Sequence, residues 1–224
     1  MISLAIFDMA GTTVDDRDEV YRVLREATER AGARYTDEQF QEWMGTEKKW
    51  AIRNLLELGG IDATDELVEE SWDWFRAELR RTYTENPPVP LAGVEDMLHD
   101  LRSKGIRIAL TTGFNRETVD LILAAMGWSP GDLLDTTAAG DEVESGRPEP
   151  HLIQKVMAEL DITDPDEVIS LGDTRADVIS AQRAGVRSVG VLTGHLTEDE
   201  FVGLDADHVL ASAAQLPRLL EELN

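Results

Sequence analysis

From Leu91 to the end of the chain, stretches of helical period alternate with short apolar runs, and this alternation restricts the architecture more than any other feature. Helices are predicted over about 93–104, 115–126, 149–160, 174–185 and 212–223. Between and around them, strands are predicted at about 106–111 (IRIALT), 134–139, 167–171 (EVISL), 187–192 (RSVGVL) and 207–210. Strands separated by helices must run parallel, in a sheet covered by helices on both faces. One more buried strand, Leu4-Ala5-Ile6-Phe7, opens the chain and stops on Asp8.

The residues between these two parts read differently. Over 17–32, Val20, Val23, Leu24 and Ala27 share one helical face. Thr36 and Gln39 have capping-box spacing and start a short helix through about Trp43. A third helix is expected from about Thr46 to Leu58, where Gly59-Gly60 ends it. A fourth starts at about Thr64 and carries Val68, Trp72, Phe75 and Leu79, with Trp72, Trp74 and Phe75 read as core. Glu85–Pro90 (ENPPVP) reads as a linker, since its prolines stop a helix. The expected fold is α/β: a Rossmann-like doubly wound parallel sheet built from residues 1–14 and 88–224, with an inserted all-helical domain over 15–87.

Four places carry chemistry. Asp8 ends the first strand, Gly11 lets the following loop approach a ligand, and Thr12 and Thr13 add hydroxyls. Ligands of open α/β sheets bind at this carboxyl edge, where a carboxylate can coordinate Mg²⁺ or attack phosphorus. Thr112 and Gly113 reach the same edge just before a helix, a natural phosphate cradle. Arg147, stiffened by Pro148 and Pro150, is suited to clamp two phosphoryl oxygens. Asp173 stands at a strand end with Asp177 four residues on, so both carboxylates share a side. Such a cluster calls for a hard cation, and Mg²⁺ is the expected cofactor.

A net charge of −24 excludes nucleic acid as a natural partner, because phosphate backbones are bound through clustered Lys and Arg. No apolar run reaches membrane-spanning length, the start lacks a basic signal-peptide region, and the absence of cysteine rules out disulfides and thiolate sites. A cytoplasmic location is expected. Only four residues are lysine, against 45 Asp and Glu, a bias that suits a salt-rich cytoplasm and also arises in high-GC genomes.

Asp8, Thr112, Arg147, then Asp173 with Asp177, in this order and each at a strand end, resemble the haloacid dehalogenase (HAD) superfamily of hydrolases. The resemblance covers the whole chain, because members of the C1 class carry a helical cap inserted just after the first motif. It implies that Asp8 attacks phosphorus to give an aspartyl phosphate while Thr112 and Arg147 hold the phosphoryl oxygens. Gly11, Thr12, Gly45, Gly113 and Phe114 would line the substrate. Mg²⁺ would be held by Asp8, the Ala10 carbonyl and Asp173, with Asp177 in support.

Most phosphatases of the superfamily place an acid two residues after the nucleophile, where this chain has Ala10, and Lys in place of Arg147. Both departures occur in the phosphonoacetaldehyde hydrolase (phosphonatase) branch, whose first motif is similar to Asp8–Thr13. Without an acid at position 10, expelling an alkoxide loses the roughly 10²–10⁴-fold that general acid catalysis supplies. In that branch a cap lysine forms a Schiff base with the aldehyde and draws electrons from the C–P bond. Met44-Gly45-Thr46-Glu47-Lys48, continued by Ile52-Arg53, is similar to the cap motif that carries this lysine. Imine chemistry needs an amine that can lose its proton, which Arg cannot do.

Ala51 stands where phosphonatases have His, Asp18 where some have Cys, and Phe114 where relatives often have Tyr. The function expected is therefore phosphonatase-like hydrolysis of a small phosphonate or phosphate. The alternatives are a phosphoglycolate- or sugar-phosphate-type phosphatase and, more remotely, an inactive binding protein of the same fold. The branch also implies a cap-mediated homodimer.

Overall fold

The computed structural model describes residues 1–223. Six parallel strands form the main sheet: β1 (Leu4–Phe7), β4 (Arg107–Thr111), β5 (Thr136–Ala138), β6 (Val168–Gly172), β7 (Arg187–Val191) and β8 (His208–Leu210). Their order is β5-β4-β1-β6-β7-β8, so the chain builds outward on one side of β1 and then crosses to the other. This is a doubly wound α/β sheet with its topological switch at β1, the crevice where such sheets bind ligands.

β1 lies at the centre because its four residues are fully buried. Successive side chains alternate between faces. Ala5 and Phe7 join one apolar cluster, with α5 (Val94–Ser103) and α6 (Arg116–Met126). Leu4 and Ile6 join the other, with α7 (His151–Glu159) and α8 (Arg175–Ala184). Phe7 stands opposite Leu110 on β4 and Leu171 on β6. That register delivers Asp8, Thr111, Thr112, Gly172 and Asp173 to one edge.

Helices α1 (Glu19–Glu29), α2 (Asp37–Gln41), α3 (Lys48–Leu58) and α4 (Asp65–Glu85) lie between β1 and α5 in sequence. α1, α3 and α4 pack on one another, and α4 reaches α6. The buried face of α1 (Val20, Val23, Leu24, Ala27) is continuous with the cluster around Phe7. Phe75 is buried and stacks on Trp72, while Trp74 lies beneath Arg30. Exposed ion pairs such as Arg22–Glu26 and Arg81–Glu85 decorate these helices. At about 0–1 kcal/mol each they matter less than the apolar face, where a buried side chain contributes about 1.5–3 kcal/mol.

The expected linker is partly ordered as a strand. Val89–Pro90 (β3) pairs antiparallel with Val14–Asp15 (β2), and Arg17 Nη2 donates to the Asn86 and Pro87 carbonyls. Pro is tolerated here because the ribbon has only two strands and both are edges. α1 starts at Glu19, not Arg17, because Arg17 and Asp18 turn through the left-handed region, each with φ of 59°. The predicted last helix begins with a separate turn over Ala213–Gln215, and α10 (Leu216–Leu223) starts one residue before Pro217. α9 (Glu198–Gly203), capped by Thr197, was not anticipated. Among the described residues, no helix is long and apolar enough to cross a membrane.

Candidate active site

Asp8 is 5% exposed, Asp173 2%, Asp177 4% and Arg147 3%, so the chemistry predicted at the sheet edge is assembled and closed from water. One oxygen from each of Asp8, Asp173 and Asp177 falls within a 4.8 Å span. Arg147 Nη1 donates to Asp8 Oδ1 at 2.5 Å and contacts Asp177 Oδ1 at 2.6 Å. Its Nη2 donates to the Thr111 carbonyl at 2.8 Å and to Thr111 Oγ1 at 2.6 Å. The expected phosphoryl clamp is thus engaged within the protein, tying two carboxylates to β4. The planar fork favours this, since it meets several acceptors without bending.

Asp177 is doubly held. Its Oδ2 accepts from Thr174 N (3.0 Å) and Thr174 Oγ1 (2.5 Å), closing a capping box at the start of α8. Asp173 has less support: its Oδ1 accepts from Thr12 Oγ1 at 2.8 Å, and the backbone of Gly11 and Gly194 presses on the carboxylate. A Cβ on either glycine would overlap it. Burial, then the charges of Asp8 and Asp177, push the Asp173 carboxyl well above its usual range. Burial also pushes Asp8 up to about 6, with Arg147 opposing it and Asp177 adding to it.

The cluster fits a hard cation on the Asp173 side, because Arg147 already neutralises the Asp8–Asp177 side. The Met9 carbonyl accepts the N–H groups of Thr12, Thr13 and Val14, and among the described residues the Ala10 carbonyl accepts none. An uncommitted carbonyl beside Asp8 is a suitable neutral oxygen ligand.

The helical insertion adds Lys48, the first residue of α3. It is 4% exposed, its Nζ donates to the Thr46 carbonyl at 2.7 Å and lies 5.6 Å from the Phe114 ring centre. Burial draws this amine down to about 8, against the pull of Asp8 and Glu47. Lys49 points outward and pairs with Glu69. The loop before Lys48 is seated by close approaches: a Cβ on Gly113 would strike the Thr46 carbonyl, and one on Gly45, which has φ of +77°, would strike Thr174. Thr112 is buried, and its hydroxyl accepts from Phe114 N at 3.2 Å. A cavity of about 660 Å³ opens beside this assembly, with Glu47, Trp50, Val143 and Arg147 on its walls.

A sequence profile of haloacid dehalogenase-like hydrolases matches residues 5–191. The chain is a haloacid dehalogenase-like hydrolase. It is 31% identical over 223 residues to a phosphonoacetaldehyde hydrolase of Bacillus cereus, covering 92% of this chain and 83% of that relative. Its fold is similar to that of a hydrolase from Pseudomonas syringae, with TM-score 0.87, 21% identity and 99% of each chain covered. A phosphonoacetaldehyde hydrolase-like protein from Oleispira antarctica superposes with TM-score 0.84 at 23% identity, over 99% of this chain and 92% of that one.

Three residues of this HAD hydrolase's site were not singled out from sequence. Thr111, read only as the end of a strand, is the double acceptor for Arg147. Thr174 caps α8 and holds Asp177, a spacing that the capping-box rule does reveal. Tyr21, read as one residue of a helix, is buried near the carboxylates, with its ring edge-on to His195. Nothing in its local sequence signals that position. His195 is partly exposed and also meets Asp18 at 3.0 Å.

Proposed function

We propose that this HAD hydrolase is a Mg²⁺-dependent, phosphonatase-like enzyme that removes the phosphoryl group of a small phosphonate or phosphate through an aspartyl-phosphate intermediate. The observation that carries this reading is the buried amine of Lys48, held at the Thr46 carbonyl 5.6 Å from the Phe114 ring centre and drawn down to about 8, while its neighbour Lys49 is partly exposed and paired with Glu69. The named relatives of Bacillus cereus act on phosphonoacetaldehyde, and 31% identity across most of both chains supports a substrate of that class.

Asp8 attacks phosphorus in line, and its bond to the leaving group's phosphorus replaces the bond that breaks. Arg147 holds Asp8 in its attacking geometry and meets the phosphoryl oxygens as Asp8 turns to phosphorus. Thr112 and the N–H groups after β4 receive the remaining charge. Asp8, the Ala10 carbonyl and Asp173 would hold Mg²⁺, with Asp177 fixing Arg147. Bound Mg²⁺ would lower the repulsion between the Asp8 carboxylate and the phosphoryl dianion.

With no acid at Ala10, Lys48 stabilises the leaving group. Its neutral amine condenses with an aldehyde, water leaves, and the protonated imine takes up the electron pair released when the C–P bond breaks. Because the site is closed, residues 15–87 act as a cap that opens for entry and shuts for chemistry. The chemistry proposed is that of a protein acting on small metabolites, and no nucleic-acid or membrane partner is part of it.

A second reading keeps Lys48 cationic, binding a substrate anion in an ordinary small-metabolite phosphatase. It is favoured by the Lys48 bond to the Thr46 carbonyl and by the nearby Phe114 ring, both of which suit an ammonium. Borohydride added with phosphonoacetaldehyde separates the two. A covalent adduct on Lys48 with loss of activity is expected, whereas turnover of phosphate monoesters with no adduct by mass spectrometry selects the second reading.

A further inference from the structure

Thr111 ends β4 and is buried. Phe7 stands opposite Leu110, so the next pair along the parallel register is Asp8 and Thr111. Alternation turns both side chains to the face that carries Ile6 and Ala109. Arg147 bridges the two. Its Nη1 donates to Asp8 Oδ1 at 2.5 Å and meets Asp177 Oδ1 at 2.6 Å. Its Nη2 donates to the Thr111 carbonyl at 2.8 Å and to Thr111 Oγ1 at 2.6 Å.

Each terminal guanidinium nitrogen carries two N–H donors, so Nη2 spends both on one residue. A guanidinium and a carboxylate left to themselves commonly form two parallel bonds, one from each nitrogen. Here the second nitrogen is drawn away to β4, and the bond to Asp8 comes from Nη1. That division matters for the reaction. A carboxylate gripped at both oxygens would have to break two charge-assisted bonds before it could attack.

The Thr111 carbonyl alone does not enforce the division, because it leaves one Nη2 proton free to turn to Asp8 or Asp177. The hydroxyl takes that proton. It also fixes the guanidinium plane, since a planar fork held at both ends cannot swivel.

We infer that Thr111 is a positioning residue: its hydroxyl anchors Nη2 of Arg147, so that Nη1 alone faces Asp8 and the phosphoryl group. The inference rests on the phosphoryl-transfer reading above and extends it to a residue that touches neither substrate nor metal. As Asp8 turns to phosphorus, the Nη1 hydrogen bond passes from Asp8 to a phosphoryl oxygen, and the anchor keeps the guanidinium from following the carboxylate.

The test is Thr111→Val, which keeps the branched shape and replaces the hydroxyl by a methyl, with Thr111→Ser as the conservative variant. Hydrolysis of p-nitrophenyl phosphate is followed at saturating Mg²⁺ with inorganic phosphate as competitive inhibitor, and melting temperatures are measured alongside. In Thr111→Val, kcat is expected to fall and the phosphate inhibition constant to rise, each by about ten- to a hundredfold, the range for a lost hydrogen bond to a charged group. Thr111→Ser should recover most of both losses. Wild-type constants in Thr111→Val, whatever its melting temperature, overturn the inference and leave Thr111 a structural strand end. Failure of Thr111→Ser to restore them overturns it too, because shape and not the hydroxyl would then matter.

If the wild type hydrolyses neither p-nitrophenyl phosphate nor phosphonoacetaldehyde, the phosphoryl-transfer reading fails and the inference falls with it. Should Thr111→Val not fold, arginine ¹⁵N NMR of the wild type decides, with the Arg147 signals assigned by their absence from Arg147→Lys. Phosphate must move the Nη1 signal and leave Nη2 in place. Movement of Nη2, or of neither, overturns the inference.

Discussion

The sheet edge and the helical insertion contribute to one site, but they are held by different forces. On the sheet side, Asp8, Arg147, Asp173 and Asp177 are placed by strand register and by short buried bonds between charged groups. On the insertion side, Lys48 bonds to Thr46 of its own loop, and that loop is seated by shape against Gly113 and Thr174. The insertion's ion pairs to the sheet domain, Arg76–Glu117, Arg80–Glu117 and Arg175–Glu42 among them, lie at the surface. Such pairs contribute about 0–1 kcal/mol each. The carboxylates and Arg147 are thus fixed by short buried polar bonds, while the insertion is held chiefly by its apolar face, which is continuous with the core around Phe7.

The strongest attack on the sheet side is Asp8→Asn. The amide keeps the packing and cannot act as nucleophile, so turnover should fall by about 10⁴-fold or more with the melting temperature preserved. Residual activity above about one per cent would break the assignment. Asp173→Ala tests the same half through the cation. It should weaken Mg²⁺ binding by at least about tenfold in calorimetry, and excess EDTA should silence the wild type. Full activity in EDTA would contradict both.

Gly113→Ala probes the seam between the two regions. The added methyl collides with the Thr46 carbonyl, so the insertion cannot seat fully. A displacement of about 1 Å costs on the order of 10²-fold in rate. Wild-type kinetics from this variant would show that seating does not matter.

The insertion side is sharpened by its paired lysines. If Lys48 acts as a neutral amine, its rate should rise with pH and level off above about 8, because the deprotonated fraction grows through that value. Lys48→Arg should then lose about 10²-fold or more, since a guanidinium stays protonated. Lys49→Ala should cost far less than the Lys48 change, because it removes a partly exposed pair with Glu69 at the cavity wall and leaves the buried amine in place. A flat pH profile with an active Lys48→Arg would favour the phosphatase reading.

Much of this was legible in the residues. The central strand could be read from four consecutive apolar residues ending on Asp8, and the α2 start from the spacing of Thr36 and Gln39, which the structure shows as a capping box. The same rule at Thr197 and Glu200 marks α9, although that helix was not foreseen. The β2–β3 ribbon was hidden because Val14–Asp15 and Val89–Pro90 are too short to show a period and are distant in sequence. Arg147 was placed at the site, yet its partners Thr111 and Asp177 follow from register and helix position, which no local pattern encodes.

Residue type and order pointed to the parallel-sheet class and to Asp8, Arg147, Asp173 and Asp177, which the fold brings into one cluster, because strand ends and helix starts leave local signatures. The motif resemblance pointed to Lys48, and the tertiary structure adds that Lys48 is buried while Lys49 is partly exposed and paired with Glu69. The two are neighbours in sequence with the same chemistry, and what separates them is the face of α3 each occupies, one amine buried and the other partly exposed against Glu69. Burial and long-range proximity set what these groups can do, and both exist only once the chain has folded.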